Sequence, residues 1–230
     1  MKVIGLIGGM SWESTALYYR IINEDVKQRL GGLHSAKLVL YSVDFHEIEQ
    51  LQAAGDWEKA GSILAEAALN LQRAGADFIV LCTNTMHKVA QQITAEVHIP
   101  LLHIADATAQ RIQQAGLRKV GLLATRFTME QDFYRGRLQD GYAIEVLTPS
   151  VADRALVHEV IYQELCLGVI EPESRTRYRQ IMQQLVEQGA EAIILGCTEI
   201  TLLVDATDAS VPLFDTTRIH AQDAVIQALI

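Results

Sequence analysis

Gly75-Ala76-Asp77-Phe78-Ile79-Val80-Leu81-Cys82-Thr83 returns later in the chain as Gly189-Ala190-Glu191-Ala192-Ile193-Ile194-Leu195-Gly196-Cys197. Each copy is a glycine, an acidic residue two positions on, and an apolar run of the length of a buried strand. Each follows a helical pattern. Trp57 to Ala74 carries Ile63, Leu64, Ala67 and Leu71 on one face, and Gly75 closes it with the left-handed cap that glycine accepts. Pro172 suits a first helical turn, and Tyr178, Ile181, Met182 and Leu185 mark the core side of the helix after it. Two more segments recur: Val3-Ile4-Gly5-Leu6-Ile7 as Lys119-Val120-Gly121-Leu122-Leu123, and Ile99-Pro100-Leu101-Leu102 as Val211-Pro212-Leu213-Phe214.

Outward from these anchors, strands alternate with helices along the whole chain. Val3 to Ile7 is a strand ending in Gly8-Gly9, and a helix starts near Ser11 with Tyr18, Ile22, Val26 and Leu30 inward. Leu38 to Val43 is a strand, Met86 to Val97 a helix with Met86, Val89 and Ile93 as core, and Pro100 to Ile104 a strand. A helix ending at Gly116 follows. Then come a strand over Val120 to Ala124, a helix through Phe133 to Leu138 and a strand over Ala143 to Leu147. A long helix with Leu156, Val160, Ile161 and Leu165 stops at Gly168, and a last helix runs to Ile230. This alternation predicts an α/β fold: two pseudo-symmetric parallel-sheet domains, with the active site in the cleft between them. The expected halves are 1–98 plus 214–230 and 99–213. In parallel sheets ligands lie beyond the carboxyl ends of the strands, so each half would present its strand ends to the cleft.

Composition narrows the function. With 19 Lys and Arg against 28 Asp and Glu in 230 residues, the net charge of −9 argues against a nucleic-acid partner. No apolar run reaches membrane-spanning length, and no membrane partner is expected. Three cysteines without a CxxC pair exclude a disulfide framework and a Cys/His zinc module, so no metal is expected, and thiols in an untargeted chain point to the cytoplasm. Gly5-Leu6-Ile7-Gly8-Gly9-Met10 lacks the full GxGxxG spacing, so a dinucleotide site is not expected.

The repeat aligns Thr83 with Cys197 and Cys82 with Gly196. Neighbours on a strand point to opposite faces, so Thr83 and Cys197 are expected to face the cleft, with Cys82 turned into the core. A proton-handling group on each wall suits inversion of a carbon centre, which needs a base on one face and an acid on the other. A buried structural role is the commonest fate of a strand cysteine. The repeat and the following Thr198-Glu199 set Cys197 apart from Cys82 and from Cys166, which reads as a helix-face packing residue. His46 reads as a solvated loop histidine.

Gly8-Gly9-Met10-Ser11-Trp12-Glu13-Ser14-Thr15, Thr83-Asn84-Thr85-Met86-His87, Leu123-Ala124-Thr125 with Thr128, and Gly196-Cys197-Thr198-Glu199 together resemble the aspartate/glutamate racemase superfamily over essentially the whole chain. The resemblance implies an amino-acid racemase that works without pyridoxal phosphate or any other cofactor, commonly as a homodimer, on a small-molecule amino acid. It implies Thr83 and Cys197 as the catalytic pair, substrate contacts from Met10, Asn84, Thr85, Thr125, Thr128 and Thr198, and support from His87 and Glu199 behind them. The family's first motif is C-N-T-x-H, so Thr83 stands where a cysteine is expected. A hydroxyl is a far weaker acid than a thiol, acceptable as a donor to a carbanion and poor as a base. Cys197 is therefore the expected base, its thiolate favoured by backbone N–H groups and a following helix start; as the family's second-half cysteine generally deprotonates the L-enantiomer, the resemblance implies a faster L to D direction. Leu165-Cys166-Leu167-Gly168 lacks the basic residue common in acidic-substrate members, which leaves aspartate, glutamate and small neutral polar amino acids open. The alternatives are a hydantoin- or malonate-type racemase or lyase of the same superfamily, and an amino-acid-binding protein that has lost turnover.

Overall fold

The computed structural model describes all residues from Met1 to Ile230. The chain divides into two compact units, 1–104 with 220–230, and 105–219. In the first unit, β1 (Ile4–Gly8), α1 (Trp12–Leu30), β2 (Leu38–Ser42), α2 (Phe45–Ala54), α3 (Trp57–Arg73), β3 (Phe78–Leu81), a 3-10 turn (Thr85–Val89), α4 (Ala90–Glu96) and β4 (Leu101–Leu102) follow one another. After α5 (Ile104–Gln114) the second unit runs β5 (Lys119–Ala124), α6 (Arg126–Glu130), α7 (Asp132–Tyr142), β6 (Glu145–Leu147) and α8 (Val151–Gln163). It continues with a 3-10 turn (Leu165–Leu167), α9 (Pro172–Glu187), β7 (Ala192–Gly196), α10 (Ile200–Leu203) and β8 (Leu213–Asp215). The final helix is α11 (Thr216–Leu229). No helix is long and apolar enough to cross a membrane.

Each unit holds a four-stranded parallel sheet, and the strand orders correspond: β2-β1-β3-β4 and β6-β5-β7-β8. The repeat is thus a repeat of topology. Its register agrees too, since Ile7 lies opposite Leu81 and the matched Leu123 opposite Leu195. The acidic residues of the two copies do one job. Asp77 Oδ2 accepts from the Val3 N–H at 2.6 Å, and Glu191 Oε2 accepts from the N–H groups of Arg118 and Lys119 at 2.8 and 3.0 Å. Each carboxylate holds the start of the central strand beside it, and those N–H donors lower the pKa of Glu191. Gly75 and Gly189 both have φ near +90° (89° and 96°), which an L side chain rarely adopts.

The alternation of β3 decides which side chains go where. Ile79 and Leu81 join a core with Leu64, Leu71, Met86, Val89 and Ile93. Phe78, Val80 and Cys82 join the opposite one, with Tyr18, Ile22, Ala224 and Val225. Each fully buried Leu or Ile contributes about 1.5–3 kcal/mol, so the two faces of β3 are not interchangeable.

Several elements differ from the sequence expectation. Residues 45–54 form α2, with Asp44 capping it by accepting from the His46 N–H at 3.0 Å, so His46 is an exposed first-turn residue and not a loop one. Only Ile48 and Gln52 of α2 are buried, too few to stand out as a periodic pattern. The helix expected from Met86 opens as a 3-10 turn, and the strand expected to reach Ile104 ends at Leu102. The helix through Phe133 to Leu138 is α7, and a short further helix, α6, precedes it. Ala143, expected in a strand, takes a left-handed conformation (φ 53°) as the cap of α7. The helix expected to reach Gly168 ends at Gln163. The chain divides at 104/105 and 219/220, where the sequence reading set 98/99 and 213/214, because β4 hydrogen-bonds to β3 and β8 to β7.

Candidate active site

In the first unit the strand ends of β1 and β3 carry the matched motifs. Beyond β1, the Gly9 N–H donates to Thr15 Oγ1 at 2.8 Å, and that hydroxyl donates to the Ser11 carbonyl at 2.8 Å. A Cβ on Gly9 would meet the Val43 carbonyl oxygen at 2.1 Å, so this approach of two backbones requires glycine. Met10 is buried beside it. Beyond β3, the Thr83 N–H donates to the Leu81 carbonyl at 2.8 Å and the chain turns into the 3-10 segment. Thr83 is half-buried, while Asn84, Thr85 and His87 are buried. Cys82 lies wholly in the core and points its sulfur back at the Val80 carbonyl, and burial pushes its thiol pKa well up. Cys82 is therefore a core residue, as its place in the strand alternation leads one to expect.

His87 donates from Nδ1 to the Thr83 carbonyl at 2.7 Å and accepts at Nε2 from the Ile104 N–H at 3.2 Å. Sequence reasoning missed its neighbours. The His103 ring is 4.4 Å away, and His220 is 5.9 Å away and hydrogen-bonded to the Tyr18 hydroxyl at 2.9 Å. Gln52 was missed as well: only 4% exposed, it directs its amide to Met86 Sδ at 3.0 Å, inside the motif that follows Thr83. Its one sequence signal is the four-residue spacing from Ile48.

In the second unit Thr125 caps α6, and its Oγ1 lies 3.2 Å from that of Thr128. Thr198 accepts from the Thr217 hydroxyl at 3.0 Å, and Thr216 donates to the Leu195 carbonyl at 2.9 Å, so the start of α11 is tied to the end of β7. Cys197 Sγ donates to Glu199 Oε2 at 3.0 Å. The thiol pKa is raised well above its ordinary value, by loss of solvation first, then by the Glu199 charge and by Cys166. This corrects the expectation of a favoured thiolate. The Glu199 N–H does favour the charged form, but burial and a neighbouring carboxylate outweigh it, and α10 spans only four residues. Cys166, expected on a helix face, lies in the 3-10 turn after α8, where it adds to the rise in the Cys197 pKa. No group of three or more His, Cys, Asp or Glu side chains is arranged to hold a metal ion.

An ion-pair cluster braces the segment after α10. Asp208, its side chain fully buried, accepts from Arg175 Nε and Nη2 at 3.0 and 2.7 Å and also from Arg179. These guanidinium groups lower the Asp208 pKa to about 2.

Known proteins share this fold. A provisionally described Asp/Glu racemase from Yersinia pestis has a structure that is 63% identical, with 100% of both chains covered and a TM-score of 0.95. The structure of an aspartate racemase homologue from Pyrococcus horikoshii is 35% identical over 100% of both chains, with a TM-score of 0.85. The broad specificity amino-acid racemase RacX of Bacillus subtilis is 25% identical over 233 residues, covering 97% of this chain and 96% of its own. The sequence profile described as Asp/Glu/hydantoin racemase matches residues 7–224. With two sheets of one topology, matched motifs at their strand ends and that profile over nearly its whole length, the chain belongs to the Asp/Glu/hydantoin racemase family.

Proposed function

We propose that the protein is a cofactor-independent amino-acid racemase that inverts the α-carbon by two-sided proton transfer. The observation that carries this reading is the equivalence of Thr83 and Cys197: each follows the matched strand of its own sheet, in one register. Cys197 takes the α-proton of the L-enantiomer after handing its own proton towards Glu199, to which it already donates. The Thr83 hydroxyl returns a proton on the second face and draws its replacement from solvent. Asn84, Thr85 and Thr198 hold the α-carboxylate, with Met10, Thr125 and Thr128 lining the substrate, and donors to that carboxylate spread the carbanion's charge. The substrate is aspartate, glutamate or another small polar amino acid, in keeping with relatives described as an aspartate racemase homologue and a broad specificity amino-acid racemase. We place the enzyme in the cytoplasm as a homodimer.

The test is a panel of L- and D-amino acids incubated without cofactor, read by chiral chromatography, with solvent-deuterium exchange at the α-carbon measured from each enantiomer. The expected result is inversion of at least one acidic or small polar amino acid, with exchange faster from the L side. Equal exchange from both enantiomers would remove the asymmetry. Binding without inversion of any amino acid would favour a binding protein instead.

A further inference from the structure

The His87 ring is 2% exposed and both of its nitrogens are committed. A carbonyl only accepts, so the 2.7 Å contact with the Thr83 oxygen makes Nδ1 the protonated nitrogen. Nε2 is then the lone-pair nitrogen that receives the Ile104 N–H, and the ring is neutral. Beside it, His220 donates from Nε2 to the Leu102 carbonyl at 2.8 Å and accepts from Tyr18 at Nδ1. The chain leaves the first unit at 104/105 and re-enters it at 219/220. The three histidines therefore pin both of these points to the turn that carries Thr83.

We propose that His87 is a positioning residue for the second proton transfer. By fixing the Thr83 carbonyl to the first N–H of α5, it sets the direction of the Thr83 hydroxyl, with His103 and His220 packed against the ring as its brace. This rests on the reading of Thr83 as the group on the second face. His87 touches no reacting atom in this scheme, and its effect falls on one half-reaction only. Abstraction from the L-enantiomer belongs to Cys197 in the other unit.

The experiment compares two rates in deuterium oxide from an L-substrate that the wild type inverts: deuterium entry into the remaining L-enantiomer and formation of the D-enantiomer. In His87→Leu the carbanion still forms and is returned from the Cys197 side, so the ratio of exchange to inversion rises, by about tenfold for the loss of one hydrogen bond of ordinary strength. His87→Asn keeps a donor near the Nδ1 position and brings the ratio back towards wild type. His87→Gln keeps only a group near the Nε2 position and does not. If His87→Leu fails to fold, the contrast between the Asn and Gln variants decides the matter. An unchanged ratio, with both rates falling together, overturns the proposal and marks His87 as purely structural. A wild type that inverts no amino acid removes the racemase reading and this inference with it, a result distinct from an unchanged ratio.

Discussion

The turn after β3 and the turn after β7 occupy the same place in two sheets of one topology, yet they are held by different forces. Behind Thr83 stand neutral hydrogen bonds, from its own N–H to the Leu81 carbonyl and from an uncharged imidazole to its carbonyl. Behind Cys197 stands a carboxylate at 3.0 Å, and further along the chain an Arg–Asp cluster anchors the segment after α10. The duplicated scaffold supplies position, and the groups packed behind each turn decide its chemistry. A thiol beside a carboxylate has somewhere to send its proton. On the reading proposed above, a hydroxyl with neutral support does not, and serves as a donor.

The predictions test that contrast from its strong end to its weak one. Cys197→Ser puts hydroxyls on both faces and should cost about a hundred- to ten-thousand-fold in inversion rate, while Cys82→Ala, a change confined to the core, should leave inversion largely intact. Retained activity in Cys197→Ser would erase the difference between the turns. Thr83→Cys should make them alike. A thiol ionises near pH 8.5, so exchange from the D-enantiomer should rise on the order of tenfold or more and approach that from the L side. No gain on the D side would mean that the neutral surroundings of position 83, not its hydroxyl, set the asymmetry.

A subtler change is Glu199→Gln. Loss of solvation raises the Cys197 pKa most and the Glu199 charge next. Removing that charge lowers the thiol pKa but also removes the group that receives its proton, so L-substrate turnover should fall while its rise with pH moves to lower pH. A pH–rate profile that stays in place would argue against electrostatic control by this carboxylate. The smallest effect concerns stability. Asp208→Asn weakens charged hydrogen bonds to two partly exposed guanidinium groups and should lower unfolding stability by about 1–3 kcal/mol. The folded-state pKa of about 2 lies below the unfolded value near 3.9, so this contribution is full above that range and is lost as pH falls towards 2. Denaturant titrations of both proteins at neutral pH and near pH 2 should show the gap closing in acid.

The two parallel sheets were legible because β1, β3 and β7 are buried on both faces and read as unbroken apolar runs. The burial of Cys82 was legible because alternation along a strand leaves no freedom once Ile79 and Leu81 are assigned to one face. What stayed hidden was set by tertiary context. α2 buries only Ile48 and Gln52, so its apolar pattern announces neither the helix, for which the Asp44 cap is the local signal, nor the Gln52 contact with Met86. The histidine cluster draws on residues 87, 103 and 220, which no spacing rule connects. The ionisation of Cys197 was misjudged because a strand-to-helix position suggests helpful N–H groups, whereas burial strips the sulfur of solvent and Glu199 folds back on it.

The first unit closes only when 220–230 join it, and Ala221, Ala224, Val225 and Ala228 of α11 fill the core beside Tyr18 and Cys82. Residues 105–219 form an uninterrupted stretch that a ribosome delivers whole. During synthesis, then, the half begun first is completed after the other: its sheet lacks one wall until α11 emerges, and incompletely packed apolar surface of that kind is open to misassembly.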